Sequence, residues 1–174
     1  MVKLAGVCII LLGCTGVGYS IVQERKQELV NCAQWQRILA IMENEMAFQK
    51  ASIHEICFRI SRHLSIASDN QHFFKKVAEE MEENKGQTLG DIWKKEMQHH
   101  LKHVKIPESM KKELIFLGEK LCYEDVGMQR RVIKMLEEEL EHIRTDRAQE
   151  DEKKNRVTMC MGIMTGLLIT IILF

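Results

Sequence analysis

The sequence predicts an all-α protein: an antiparallel bundle of about six helices between an N-terminal and a C-terminal transmembrane helix. All 25 acidic residues, and all but one of the 25 Lys and Arg residues, lie between Gln23 and Arg156. Both ends are apolar, and the chain of 174 residues has one proline and no convincing alternating strand pattern. We therefore predict three segments: residues 1–22, a helical domain over residues 23–156, and residues 157–174.

The two apolar runs, residues 4–22 and 157–174, contain no Asp, Glu, Lys or Arg. A helix needs about 20 apolar residues to cross a bilayer, so each run is just long enough to span. The first run could instead be a cleaved signal peptide. No small-residue cleavage site follows it, however, and the next residues continue a helical pattern. The sequence therefore predicts an integral membrane protein with two retained spans.

Basic residues next to the runs predict the orientation of the middle domain. On its side of the spans lie Arg25, Lys26, Lys153, Lys154 and Arg156, whereas Lys3 is alone on the other side. Because cytoplasmic flanks carry the excess of Lys and Arg, the middle domain is predicted to face the cytoplasm.

Small residues in both runs suggest positions where membrane helices pack closely. Gly162 and Gly166 form a G-x-x-x-G pair, and Gly13, Gly16 and Gly18 cluster in the first run. Glycine is also simply common in membrane helices, which is the alternative explanation. If these helices pair, they do so within one chain or with a partner, including a second copy of the chain.

Helical periodicity organises the middle domain. The first helix continues to about Ala47 with one apolar seam at spacings of three and four residues. The seam consists of Cys32, Trp35, Leu39, Met42 and Met46. We expect Trp35 and Trp93 to be core residues, since each lies on the apolar stripe of its helix; an exposed tryptophan would instead bind partners.

Capping signals place the remaining helices. The predicted starts are a capping box at Ser52, Asp69 or Asn70, Thr88, Pro107 as a first helical residue, and the segment after Glu124 and Asp125. The second, third and fifth helices end near Leu64, Asn84 and Cys122. Short connections between such helices are typical of an antiparallel bundle.

Charge and motif content favour a non-enzymatic protein without a cofactor. The near-neutral domain lacks the basic surface with which proteins neutralise nucleic acid phosphates. His54-Glu55 begins a zinc-protease motif, but Phe58 stands where the second histidine is required. The six cysteines include no C-x-x-C pair, and we expect them to behave as small apolar residues.

Two histidine patterns are possible metal sites. His99 and His103 lie one helical turn apart, although a solvated histidine-rich face is the commoner outcome. Two E-x-x-H motifs, ending at His99 and His142, resemble half of a di-iron site. A helical wheel turns both of these histidines away from the apolar stripes, so we expect them to face water.

Several short segments, in order along the whole chain, resemble the stage III sporulation protein AB family. They include the opening Met1-Val-Lys-Leu-Ala-Gly6, Met42-Glu-Asn-Glu-Met46 with Phe48, Leu89-Gly-Asp-Ile-Trp93, Leu114-Ile-Phe-Leu-Gly118 and the closing Gly162-Ile-Met-Thr-Gly-Leu-Leu168. The chain departs from the family pattern at Ser52-Ile53, where Pro-Leu is usual, and at Cys122, where a glycine is usual.

The resemblance implies a fold like the cytoplasmic domain of the type II secretion platform protein. It also implies a place in the channel complex between mother cell and forespore, on the mother-cell side. There the chain is expected to dock a cytoplasmic secretion-type ATPase to membrane channel parts, with no catalytic residue. The alternatives are a membrane-tethered metal-binding protein that uses His99 and His103, or a generic two-anchor adaptor.

Overall fold

In the computed structural model the described residues are 2–49, 51–83, 86–122 and 125–173. Within these ranges, side chains are described except at residues 2–12, 14, 15, 159, 162, 163, 166, 167, 169, 170, 172 and 173. The described residues form six α-helices and one π-helical segment, and they include no strand. The helices are α1 (Val2–Asn44), α2 (Ile53–Ile60), α3 (Ser68–Glu83), α4 (Leu89–His100), α5 (Glu108–Lys120) and α6 (Val126–Leu173), with the π-helical segment at Glu45–Gln49.

The chain divides into two compact units. One contains Val30–Arg144, and the other contains Met1–Leu29 together with Thr145–Phe174. The first, which we call the bundle unit, holds α2 to α5 and parts of α1 and α6. The second, the paired-helix unit, holds the remaining parts of α1 and α6. The all-helical prediction is confirmed.

The core of the bundle unit contains the residues that periodicity selected. All five seam residues, from Cys32 in α1 to Met46 in the π-helical segment, are buried, and so are Ile92, Met97, Leu136 and Leu140. Along the chain α2 packs on α3, α3 on α4, and α4 on α5. Apolar side chains at helical spacing therefore determine which face of each helix turns inward.

Local capping explains where several helices begin. The Ser52 hydroxyl accepts a hydrogen bond from the Glu55 backbone N–H at 3.3 Å, and Thr88 caps α4 in the same way through Asp91 at 3.2 Å. Pro107 precedes α5 as its N-cap instead of being its first helical residue. Two further boundaries differ from the prediction: α2 ends at Ile60, and α3 begins at Ser68.

Helices α4 and α5 approach each other closely at two glycines. A Cβ atom at Gly118 would lie only 2.4 Å from the Trp93 Cβ and 2.5 Å from its Cγ. At Gly90 the same construction meets the Glu119 Cα at 3.4 Å. Trp93 is fixed in this contact because its indole N–H donates to the Leu114 carbonyl at 2.8 Å.

The paired-helix unit is an antiparallel contact between the first part of α1 and the last part of α6. Gly18 lies against the Thr158 carbonyl oxygen, which is 3.6 Å from the place of a glycine Cβ. Further along the same two helices, the Arg25 guanidinium donates to the Asn155 side chain at 3.0 Å and lies 3.7 Å from the Asp151 carboxylate. The two apolar ends of the sequence thus meet each other.

The structure contradicts the predicted membrane topology. Among the described residues, no helix combines the length and the apolar character that a membrane crossing needs. The prediction of an integral membrane protein with spans in residues 1–22 and 157–174 is therefore wrong, and the orientation derived from those spans no longer has a basis. The prediction depended only on the length of the two runs and on their lack of charged residues.

Candidate functional site

A group of titratable side chains in the bundle unit surrounds a cleft beside α3 and α4, which we call the histidine cleft. It has a volume of about 270 Å³. Its lining residues are Asp69, His72, Phe73, Lys76, Glu96, His99, His100, His103 and Val104. Histidines of α3, of α4 and of the turn after α4 thus lie next to the core residue Phe73 in this cleft.

His100 connects the histidine cleft to the core. Its ring centroid lies 5.2 Å from that of Phe73 and 6.0 Å from that of Trp35. The His100 Nε2 is 2.9 Å from the side-chain oxygen of Asn70, which is buried. Because an amide oxygen only accepts, His100 donates from Nε2 in its neutral form. Asn70, predicted as a helix cap, therefore serves as a partner inside the bundle.

Burial lowers the pKa of His100 from its usual 6.5 to about 4, against an opposing effect of the Asp69 carboxylate. The neighbouring His103, His72 and His99 contribute in the same direction as burial. Since the folded state disfavours the proton, the stability that depends on neutral His100 is fully present above about pH 6.5. It is lost as the pH falls toward 4.

We predict that the free energy of unfolding decreases by about 2 kcal/mol between pH 7 and pH 4 because of His100 alone. A shift of this size corresponds to about 3 kcal/mol in a fully buried site, and partial solvent contact of the ring reduces it. Urea unfolding of the wild type and of His100→Gln at several pH values measures this contribution. The variant should lose most of the dependence, whereas His142→Gln, at an exposed position on α6 outside the cleft, should keep it. An identical pH profile for His100→Gln and wild type would contradict the assignment.

The described residues contain no group of three His, Cys, Asp or Glu side chains arranged to hold a metal ion. The His99 and His103 rings are near each other, with centroids 5.7 Å apart. His99 and His142 are both exposed, as the helical wheel predicted, which argues against the di-iron arrangement. Glu96 is buried, but it lies 3.6 Å from the Lys95 ammonium.

The cysteines with described side chains fall into two groups. Cys32 and Cys57 are buried free thiols, and burial raises the pKa of Cys57 to about 12, so its thiol is unreactive. Cys122 and Cys160 are free and exposed, contrary to the expectation of buried apolar behaviour. Cys122 is near Gly90 in the α4–α5 contact, where its sulfur donates to the Gly118 carbonyl at 3.3 Å.

The glycines predicted as helix-packing positions are not equivalent. Only Gly18 has a described helix contact, the one to Thr158; an added Cβ at Gly13 or Gly16 would meet nothing within 4 Å. Gly162 and Gly166 lie outside the residues whose side chains are described.

A second candidate site is a set of exposed side chains on α2 and in the segments that flank it, which we call the α2 surface. It comprises Phe48, Phe58, Arg62 and Leu64. Phe48 is 84% exposed, Leu64 is 99% exposed and Phe58 is 45% exposed. The opposite face of α2 is buried, at Ile53, Ile56, Cys57 and Ile60. Phe58 thus lies on the exposed face of a helix that is anchored in the core, and Phe48 and Leu64 lie in the segments before and after that helix.

Arg59 ties the π-helical segment to α2. Its guanidinium contacts the Glu45 carboxylate at 2.6 Å and the Glu55 carboxylate at 2.5 Å, and it also donates to the Gln49 side chain. The hydrogen bond to Glu55 is the main cause that raises the pKa of Arg59. π-Helical turns occur frequently at functional sites. These ion pairs hold the turn that carries Phe48 against α2.

Trp35 and Trp93 are each 0% exposed, so the prediction that both are core residues is confirmed. The α2 surface was missed in the sequence. Phe48 follows the seam residue Met46 by two positions, which places it on another face of the helix. This offset from the seam was the signal in the sequence that Phe48 does not face the core. The exposure of Leu64 results from the earlier end of α2, which places Leu64 in a turn.

The family comparison gives the assignment. A family model described as stage III sporulation protein AB matches residues 3–174. The chain belongs to this family. The resemblance drawn from the short sequence segments is therefore confirmed. Family membership makes the chain a sporulation protein and is consistent with a component of a sporulation complex.

A solved structure titled stage III sporulation protein AB is similar in fold. It is 17% identical in sequence, with a TM-score of 0.64, and the match covers 72% of this chain and 97% of that one. At this identity the likeness supports the fold alone. No curated protein matches the chain.

The segments that carried the family resemblance meet in space. Leu89-Gly-Asp-Ile-Trp93 lies in α4, and Leu114-Ile-Phe-Leu-Gly118 lies in α5. Their contact is the one between Trp93 and Gly118, together with the hydrogen bond to the Leu114 carbonyl. The family pattern in these two segments thus corresponds to one structural requirement, the close approach of α4 and α5.

Proposed function

We propose that the chain is a non-enzymatic scaffold of the sporulation channel complex, and that it docks a secretion-type ATPase to the channel proteins. The observation that carries this proposal is the exposed α2 surface in a member of a sporulation family. The implied ATPase partner comes from the family resemblance. The α2 surface is the place in the bundle unit that we assign to it.

The composition of the α2 surface suits protein binding. Phe48, Phe58 and Leu64 are large apolar side chains that become buried when a partner covers them. Aromatic residues and Arg are enriched at the centres of protein interfaces, and both types are present here. Because the Arg59 ion pairs connect Glu45 and Glu55, little ordering of this surface is needed on binding.

The chemistry of the histidine cleft supports a non-enzymatic role. His100 is held by Asn70 and core aromatic rings, and burial lowers its pKa to about 4, below the range useful for acid–base catalysis near neutral pH. The contacts of His100 with Asn70 and with the aromatic rings are those of a residue that packs against the core. We therefore place the function at the α2 surface and not in the cleft.

We predict that Phe48→Ser combined with Leu64→Ser weakens binding of the ATPase by about tenfold or more, since both side chains are nearly fully exposed and buried only in the complex. Binding is measured with the full-length chain and purified ATPase. In the host, a deletion strain complemented with this double variant should give heat-resistant spore counts close to those of the deletion strain.

Met135→Ser is the matched control, because Met135 is 69% exposed but lies on α6. It should bind the ATPase and restore spores like the wild type. All these variants change exposed positions, so their unfolding midpoints should match that of the wild type. Normal ATPase binding and normal spore counts with the Phe48→Ser, Leu64→Ser chain would refute the assignment of the α2 surface.

A further inference from the structure

A groove lies between α2 and α3 beside the α2 surface, and we call it the α2–α3 groove. Its volume is about 360 Å³. Its lining residues are His54, Phe58, Ser61, Arg62, Lys75, Ala78, Glu79 and Glu82. The groove is therefore lined by the apolar residues Phe58 and Ala78 together with charged groups of both signs.

Each carboxylate of the groove lies close to a nitrogen of another groove residue, although the His54 side chain is charged only when it is protonated. The Glu82 carboxylate lies 3.2 Å from the His54 Nε2, and the Glu79 carboxylate lies 3.6 Å from the Lys75 ammonium. The guanidinium of Arg62 makes no ion pair with any residue that the structure describes. Arg62 is thus the charge in the groove that is available to an incoming group.

Phe58 holds the Arg62 guanidinium in place. The Arg62 Cζ atom lies 4.3 Å from the centroid of the Phe58 ring, which is a cation–π contact. A stacked guanidinium keeps its edge N–H groups free, in the planar geometry that matches a carboxylate with two parallel hydrogen bonds. The ring itself stays 45% exposed, so apolar surface remains next to this charge.

We propose that the α2–α3 groove binds an acidic segment of the partner protein, in which a Glu or Asp lies next to a large apolar side chain. The carboxylate pairs with Arg62, and the apolar side chain packs on the exposed part of the Phe58 ring. This inference rests on the proposed function and specifies the chemistry of the ATPase segment that docks.

The same charges select against a polyanion. Glu79 and Glu82 also line the groove, so a phosphate chain would place several negative charges beside two carboxylates. A single carboxylate flanked by apolar atoms avoids that repulsion. The formal net charge of the whole chain is zero, which adds no long-range attraction for nucleic acid.

The test uses two fluorescein-labelled peptides, Gly-Ser-Ser-Phe-Glu-Leu-Ser-Gly and its counterpart with glutamine in place of the glutamate. Fluorescence anisotropy measures their binding to the full-length chain. We expect the glutamate peptide to bind more tightly than the glutamine peptide. Arg62→Gln should weaken binding of the glutamate peptide about tenfold, because a charge-assisted hydrogen bond is lost.

Arg131→Gln is the matched control, since Arg131 is an exposed arginine on α6 outside the groove, and it should bind the glutamate peptide like the wild type. Phe58→Leu adds a second check, because it removes the aromatic face and should weaken both peptides. Equal binding of the glutamate peptide by wild type and Arg62→Gln, or equal binding of the two peptides by the wild type, would overturn the proposal.

ATPase binding separates this inference from the proposed function. If the wild-type chain binds the ATPase and Arg62→Gln binds it equally well, the groove is not the docking site, although the scaffold function stands. If the wild-type chain does not bind the ATPase, the proposed function fails, and so does the identification of the groove's partner. A tenfold loss of both peptide and ATPase binding in Arg62→Gln alone would support both.

Discussion

Gly118→Ala is expected to destabilise the protein by about 2–3 kcal/mol. The added Cβ would lie within 2.6 Å of three atoms of Trp93, which are its Cβ, Cγ and Cδ1. These atoms are the inner part of a fully buried side chain whose indole N–H is bonded to Leu114, so they cannot move away easily. Overpacking of this kind costs about 1–3 kcal/mol or more, and it outweighs the helix propensity of about 1 kcal/mol gained by replacing glycine.

Urea unfolding followed by circular dichroism measures the effect. Gly86→Ala is the matched control, because an added Cβ there meets nothing within 4 Å and the backbone does not need a positive φ. This control should change stability by less than about 0.5 kcal/mol. If Gly118→Ala unfolds at the same urea concentration as the wild type, the close contact between α4 and α5 is incorrect. A chain that fails to fold at all would agree with the expected direction.

Trp35→Ala is expected to cost about 3–5 kcal/mol, the largest effect of a single truncation that we predict. Trp35 is fully buried, and its ring contacts Phe73, Phe74 and His100 with centroid distances of 5.9, 6.0 and 6.0 Å. Removing the indole leaves a cavity where α1, α3 and α4 meet. The measurement is again the free energy of unfolding of the full-length chain.

A pair of phenylalanine variants tests the details of this region while keeping most of the volume. Trp93→Phe removes the hydrogen bond to the Leu114 carbonyl, whereas the Trp35 indole N–H has no hydrogen-bond partner among the described residues. Trp93→Phe should therefore cost about 1 kcal/mol more than Trp35→Phe. The opposite order would show that the two indole environments are assigned the wrong way round.

These predictions bear on function because the α2 surface depends on the bundle beneath it. Phe73 and Phe74 of α3 contact both Trp35 and Trp93, and α3 forms one wall of the α2–α3 groove. Core variants should reduce partner binding through loss of folded protein. Arg62→Gln, in contrast, should reduce peptide binding with an unchanged unfolding midpoint. Measuring both quantities for each variant distinguishes the two causes.

Much of the bundle could be predicted from the sequence because its signals are local. The seam from Cys32 to Met46 is buried as its spacing required, and Ser52 and Thr88 cap the helices that follow them. A side chain and the backbone N–H three residues later are brought together by the first turn of a helix, so the pattern is sufficient. The family resemblance was also drawn from short segments in their order along the chain, and the match of the family model confirms it.

The membrane prediction was wrong because the length of an apolar run does not by itself identify a membrane span. Residues 1–22 and 157–174 have the composition of spans, yet the described residues include no helix that could cross a membrane. The sequence separation between Gly18 and Thr158 also hides their contact. Only the tertiary arrangement shows that the ends of α1 and α6 pair, since no local rule connects positions so distant in the chain.

The sequence by itself therefore determined the helical class, the inward faces and the family, each from periodicity, capping or ordered motifs. The tertiary structure decided three other features: the fit of Gly118 against Trp93, the Asn70–His100 pair, and the exposure of Phe48, Phe58, Arg62 and Leu64. Each of these depends on which helix faces which. That choice follows from the packing of all apolar faces together, because burial is a property of the assembled core and not of any one segment.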